Sequence, residues 1–98
     1  MLLEIKKRAE DVTIEIVGRL DEITAPVLDK TIRTSVARRQ SLTLDLKELE
    51  YISGEGQRVI LNAATEMREV GSMKLTGVSA SMMEVFQMTD FTDVLTIE

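Results

Sequence analysis

Glu50-Tyr51-Ile52-Ser53-Gly54-Glu55-Gly56-Gln57-Arg58 is the stretch on which the reading of this chain turns. Ahead of it, Leu42-Thr43-Leu44-Asp45-Leu46 alternates apolar and polar residues, the pattern of a strand. Behind it, Val59 to Met67 carries apolar residues at helical spacing. One serine and two glycines lie between, so the chain turns sharply there and a helix begins. A helix start exposes unpaired backbone N–H groups and a partial positive charge. At such a point one added phosphate, or one fixed carboxylate, changes what a surface will bind.

Toward the N-terminus, Thr24 reads as the cap of a first helix, with Pro26 tolerated in its first turn. Ala25, Leu28, Ile32 and Val36 give that helix one apolar stripe, and Arg38-Arg39 close it with the favourable sign. Gly18-Arg19-Leu20-Asp21 is a loop. Before it, Val12, Ile14 and Ile16 alternate with polar residues in a second strand, and Leu3 and Ile5 mark a first. Two strands so close in sequence pair as a hairpin through Glu10-Asp11.

Toward the C-terminus, Leu49 and Ile52 are apolar anchors in the loop after the third strand. The second helix buries Val59 or Ile60, then Ala63, Ala64, Met67 and Val70. Gly71 stops it and permits a left-handed cap. Met73-Lys74-Leu75-Thr76 is a fourth strand, and Ser79 or Ser81 caps a short third helix carrying Met82, Val85, Phe86 and Met88. Val94-Leu95-Thr96-Ile97 is a last strand. The expected order is β-β-α-β-α-β-α-β in one α/β domain over residues 1–98. Strand and helix alternate from the third strand on, which predicts parallel neighbours with right-handed crossovers. Strands that alternate, and are not apolar throughout, predict a mixed sheet with helices mainly on one face and the other face partly wet.

Composition narrows the function. The 98 residues carry 17 acids against 12 bases, a net charge of −5, which argues against a nucleic-acid binder. With no cysteine there is no disulfide, thiolate nucleophile or cysteine metal site, and with no histidine the commonest general base and metal ligand are missing. No paired acids stand at a defined spacing, so an enzyme is not expected, nor a cofactor or metal. No apolar run approaches the roughly 20 residues of a membrane helix, and the first eight residues lack a cleavable apolar core. The expected location is the cytoplasm.

In order and spacing, the chain resembles the STAS domain family of sulfate transporters and anti-sigma-factor antagonists. The marks are Gly18-Arg19-Leu20-Asp21 followed by Ala25-Pro26, then Leu44-Asp45-Leu46 leading to Tyr51-Ile52. Gly56 at a helix opening, Gly71 before Met73-Lys74-Leu75, and Gly77-Val78-Ser79 before Val85-Phe86 complete the set. The resemblance implies a protein-binding module of the bacterial antagonist type. It would dock on an anti-sigma factor, a kinase-like protein, and so regulate sigma-dependent transcription. The docking surface would be Ser53, Gly54, Glu55, Gly56 and Gln57, with Asp21 in support. The alternative is a STAS scaffold or transport-accessory subunit with no switch. No direct nucleic-acid contact and no membrane insertion are expected, and a homodimer remains open.

The family's loop typically reads Asp-Ser-Ser-Gly or Ser-Ser-Ala-Gly, and the first hydroxyl residue after the leading one is phosphorylated by the cognate kinase. Anchored on Gly56, that position is Gly54 here, with Ser53 in the leading place. Gln57 replaces the usual leucine. Gly54 either eases the turn or marks a lost switch. Glu55 either stabilises the first helical turn by about 0.3–1 kcal/mol or imitates phosphate in part, carrying one charge where phosphate carries about two. Ser53 reads as a cap or a displaced phosphosite, and Asp21 as a cap for the first helix or part of an acidic ring. Met82, Met83 and Met88 read as core or as an adaptable surface.

Overall fold

The computed structural model describes residues 1–88 and 95–98. Strands β1 (Leu2–Lys7) and β2 (Asp11–Leu20) form the expected antiparallel hairpin. Helix α1 (Ala25–Ser35) leads to β3 (Ser41–Asp45) and β4 (Leu49–Ile52), and α2 (Gly54–Val70), β5 (Ser72–Thr76) and α3 (Ala80–Gln87) follow. The sheet order is β1-β2-β3-β5, with β4 also on β2, and every pairing after the hairpin is parallel.

Alternation along the strands decides what lies inside. Val12, Ile14 and Ile16 of β2, Leu42 and Leu44 of β3 and Leu75 of β5 are fully buried. Their neighbours Thr13, Glu15, Thr43, Asp45 and Thr76 are only half-buried. The buried rows meet Leu28 and Ile32 of α1, Ile60, Ala63, Ala64 and Met67 of α2, and Met82 and Phe86 of α3 in a single core. The helices therefore cover one face and leave the other open, as the alternation predicts. Among the described residues, no helix is long and apolar enough to cross a membrane.

Five expectations need correction. Gly18-Arg19-Leu20 is the end of β2 and pairs with β4, so only Asp21 of that stretch lies in a loop. Leu49–Ile52 is a strand, not a loop. The pairing runs Gly18 with Leu49 and then Arg19 with Tyr51, so Glu50 is the extra residue of a bulge. The bulge sets the two inward residues, Leu49 and Ile52, three apart where a regular strand sets them two apart, and this hides the period. Helix α1 ends at Ser35, before Arg38-Arg39. Val36 is already extended, Arg39 takes a positive φ of 74°, and the Gln40 side chain accepts from Ala37 N at 2.7 Å to hold the turn. Gly71 caps α2 in an extended conformation, φ 178°, not a left-handed one. Its glycine is required because a Cβ would run into the Gln40 carbonyl oxygen. Of the last strand, the described residues show a parallel bridge from Ile97 to Leu75, and Val94 falls outside the described residues.

Of the two serines offered as caps for α3, Ser79 takes the role and accepts from Met82 N at 3.2 Å. The methionines divide: Met82 is buried, Met83 half-buried and Met88 exposed.

Candidate functional site

The parallel strands β2 and β4 end side by side, with Leu20 paired to Ile52. In parallel sheets the crevice beyond the carboxyl ends of the strands is the usual place for a site. Here that end is built by one continuous hand-over from strand to helix. Ser53 N donates to Leu20 O at 2.8 Å, carrying the strand pairing one residue further. The Ser53 carbonyl then accepts from Gln57 N at 3.0 Å, and its Oγ accepts from Gly56 N at 3.1 Å. Ser53 is thus the N-cap of α2 with both its backbone and its side chain engaged, and it is buried.

Gly56 lies on the inner side of this turn. A Cβ there would stand 2.8 Å from Leu20 Cγ, 2.9 Å from Leu20 O and 3.0 Å from Ile52 Cγ1. One of these is a backbone oxygen held in the sheet, so the start of α2 approaches β2 and β4 as closely as it does only because residue 56 has no side chain. Gly54 is its opposite. It is exposed, a Cβ there would meet nothing within 4 Å, and its φ lies outside the left-handed region. Nothing in the backbone asks for glycine at 54. Glu55 is exposed in the first turn, where its charge favours the helix dipole. Gln57 is half-buried.

Asp21 follows Leu20 directly, so its loop sits beside Ser53. Its carboxylate is spent within that loop. Asp21 Oδ1 accepts from Ile23 N and from Thr24 N, each at 3.0 Å, and the Thr24 hydroxyl accepts in return from Asp21 N at 2.9 Å. The Thr24 N–H bond, foremost, holds the Asp21 carboxyl below the usual carboxylate range. Thr24 occupies the cap position of α1, but its side chain serves this loop and caps no helical N–H.

Two features of this end escape sequence reasoning. The Arg19 guanidinium lies 4.3 Å from the centre of the Tyr51 ring, a cation–π contact made possible by the bulged pairing of those residues. Ile23, just before α1, and Val27, in its first turn, are exposed to 76% and 53%. The Arg19–Tyr51 contact needs β4 to be recognised first, whereas Ile23 could be read directly as an isoleucine outside the α1 stripe. Between α1 and α2 lies a groove of about 320 Å³ whose lining includes Pro26, Asp29, Glu55, Arg58 and Val59. It carries acids, bases and apolar surface together. Among the described residues, no group of three or more acids is placed to hold a metal ion.

The family described as "Mlab, STAS domain" matches residues 3–96. A protein named anti-sigma-B factor antagonist from Bacillus subtilis is 25% identical over 96 residues, covering 97% of this chain and 88% of that protein. An anti-sigma factor antagonist from Mycobacterium paratuberculosis superposes with a TM-score of 0.86 at 15% identity, covering 98% of this chain and 83% of that one. The anti-sigma factor antagonist SpoIIAA in its unphosphorylated form superposes with a TM-score of 0.73 at 18% identity, covering 99% and 87%. At these identities the two solved structures speak to the fold.

Proposed function

Since the chain belongs to the STAS domain family, we propose that it is a protein-binding module of the anti-sigma-factor-antagonist type, acting in the cytoplasm by docking and not by catalysis. Its partner is an anti-sigma factor, and its output is regulation of sigma-dependent transcription. The observation that carries this reading is the near end-to-end match to an anti-sigma-B factor antagonist. The docking surface is the outer side of the start of α2, Gly54 and Glu55, seated on Ser53, Gly56 and Gln57. The exposed Ile23 and Val27 add apolar surface at the start of α1.

The chain docks without a phosphorylation switch. Gly54 has no acceptor oxygen where the family's loop places one. The neighbouring hydroxyl, on Ser53, is buried and already accepts from Gly56 N. A kinase would have to unwind the first turn of α2 to reach it. Binding to the anti-sigma factor is therefore insensitive to ATP, and Glu55 contributes one fixed negative charge to the contact at all times.

Calorimetric titration with a candidate anti-sigma kinase, before and after incubation with ATP, tests this. The expected outcome is one affinity under both conditions and no phosphate on the chain by mass spectrometry. Stoichiometric phosphate on Ser53 would defeat the unswitched reading. No binding to any anti-sigma factor would favour the second reading, a STAS scaffold or transport-accessory subunit, which the missing hydroxyl at 54 also favours.

A further inference from the structure

The face of the sheet left open by the helices carries chemistry of its own. Strand register sets Lys6 opposite Thr13, Thr13 opposite Thr43, and Thr43 opposite Lys74. Residues in register point to the same face, so two lysines flank two threonines in one row across β1, β2, β3 and β5. At about 4.8 Å per strand, the outer Cα atoms stand about 14 Å apart. Lysine's flexible four-carbon stem lets both ammonium groups lean inward over the hydroxyls between them.

The row lies on the wall of an open groove of about 740 Å³, and Arg8, just beyond β1, lines the same groove. Among the described lining residues, Lys6, Arg8 and Lys74 face one acid, Asp11. In a chain of net charge −5 this is a local reversal of sign. Among the described residues, the recorded ion pairs leave Lys6 and Arg8 uncommitted, while Lys74 Nζ lies 3.0 Å from the Glu98 carboxylate. One cation of the row thus already holds an anionic oxygen. Lysines and threonines are ordinary on a wet strand. Their alignment across four strands, with the sign reversed against the rest of the chain, is what sets this row apart.

The next row toward the site end differs. Glu15 and Asp45 are in register, and Lys47 Nζ reaches both, at 3.2 Å and 3.4 Å. Lys6 and Thr13 also line a small cavity of about 70 Å³ shared with these two acids, with Glu4, which is in register with Glu15, and with Lys47. Carboxylates accept hydrogen bonds from hydroxyl groups. Among the described residues that line the groove there is no aromatic ring to stack on a nucleobase. We propose that the open sheet face binds a phosphate monoester of a small polyol. Its phosphate lies across the Lys6–Thr13–Thr43–Lys74 row, displacing Glu98 from Lys74, and its hydroxyls turn toward Glu15 and Asp45. The site is on the other face from the helices and is independent of the docking surface around Gly54.

Glucose 6-phosphate, inorganic phosphate and glucose, each titrated into the full chain and followed by backbone amide shifts, test the proposal. Glucose 6-phosphate should give saturable shifts at Thr13, Thr43 and Lys74, inorganic phosphate should bind about tenfold more weakly, and glucose should give none. The double change Lys6→Gln with Lys74→Gln removes charge from exposed side chains and should weaken glucose 6-phosphate at least tenfold. Thr43→Val keeps both charges and shape and should weaken it less. Shifts that do not saturate, or that persist unchanged in the double variant, overturn the site. Equal affinity for phosphate and glucose 6-phosphate overturns the polyol assignment. Shifts centred on residues 54–57 would assign the anion to the start of α2 and also overturn it.

Discussion

On the inner side of the first turn of α2, Ser53 and Gly56 are packed against the ends of β2 and β4 and hydrogen-bonded to each other. On the outer side, Gly54 and Glu55 touch open space. The two sides share one helical turn, yet residues on one answer to the fold and residues on the other do not. Glycine stands on both. At 56 it is demanded by a backbone oxygen, and at 54 by nothing in the chain's own structure. The same letter two positions apart therefore means close packing in one case and freedom to vary in the other. The proposed docking surface is built from the second kind.

The inner side continues down the helix. Ile60 is the next inward residue of α2 and is wholly buried in the core formed with β2 and β3. Ile60→Ala should cost about 2–5 kcal/mol through lost burial and the cavity left behind. A denaturant midpoint unchanged from the parent at the same slope would mean that α2 does not rest on this core.

Gly56→Ala comes next. It adds one methyl where three atoms already stand within 3.0 Å, and the oxygen among them is fixed in the sheet. The expected cost is about 1–3 kcal/mol, the usual range for overpacking. Backbone amide shifts should concentrate at Leu20 and Ile52, the two residues the methyl would strike. A neutral result would show that the inner side gives way, and the contrast with Gly54 would fail.

The parts of this picture that were legible beforehand are those set by strict periodicity. The alternation in β2 and β3 announces both the buried rows and the open face, and the stripe Ala25, Leu28, Ile32 announces α1. What stayed hidden breaks a period or depends on an approach between distant segments. The bulge at Glu50 puts Leu49 and Ile52 three apart, so β4 does not look like a strand. The end of α1 is decided by Gln40 folding back on Ala37, which no helical pattern encodes. At the site, the cap role of Ser53 was readable from residue type alone. The difference between Gly54 and Gly56 was not, because it lies in the distance to Leu20, more than thirty residues away in the chain.

The smallest effect is the most discriminating, because its sign is reversed. Gly54 is the first residue of α2, exposed, with a φ that any residue can adopt and room for a Cβ. Replacing glycine by alanine at such a position restricts the unfolded chain without straining the folded one, and stabilises by about 0.4–1 kcal/mol. Gly54→Ala should therefore raise the denaturant midpoint slightly, while Gly56→Ala lowers it. Gly54→Ser should be at least neutral, since serine also fits an open helix start, and it would restore a hydroxyl on the outer side, where a kinase can reach it. The pair of alanine variants is its own control: same substitution, same helical turn, opposite sign. If both lower the midpoint, the outer side is as constrained as the inner, and glycine at 54 is structural after all. If Gly54→Ala raises it, a more stable residue was available without cost to the fold. Residue 54 is then a position that the fold leaves free, as the proposed docking surface requires.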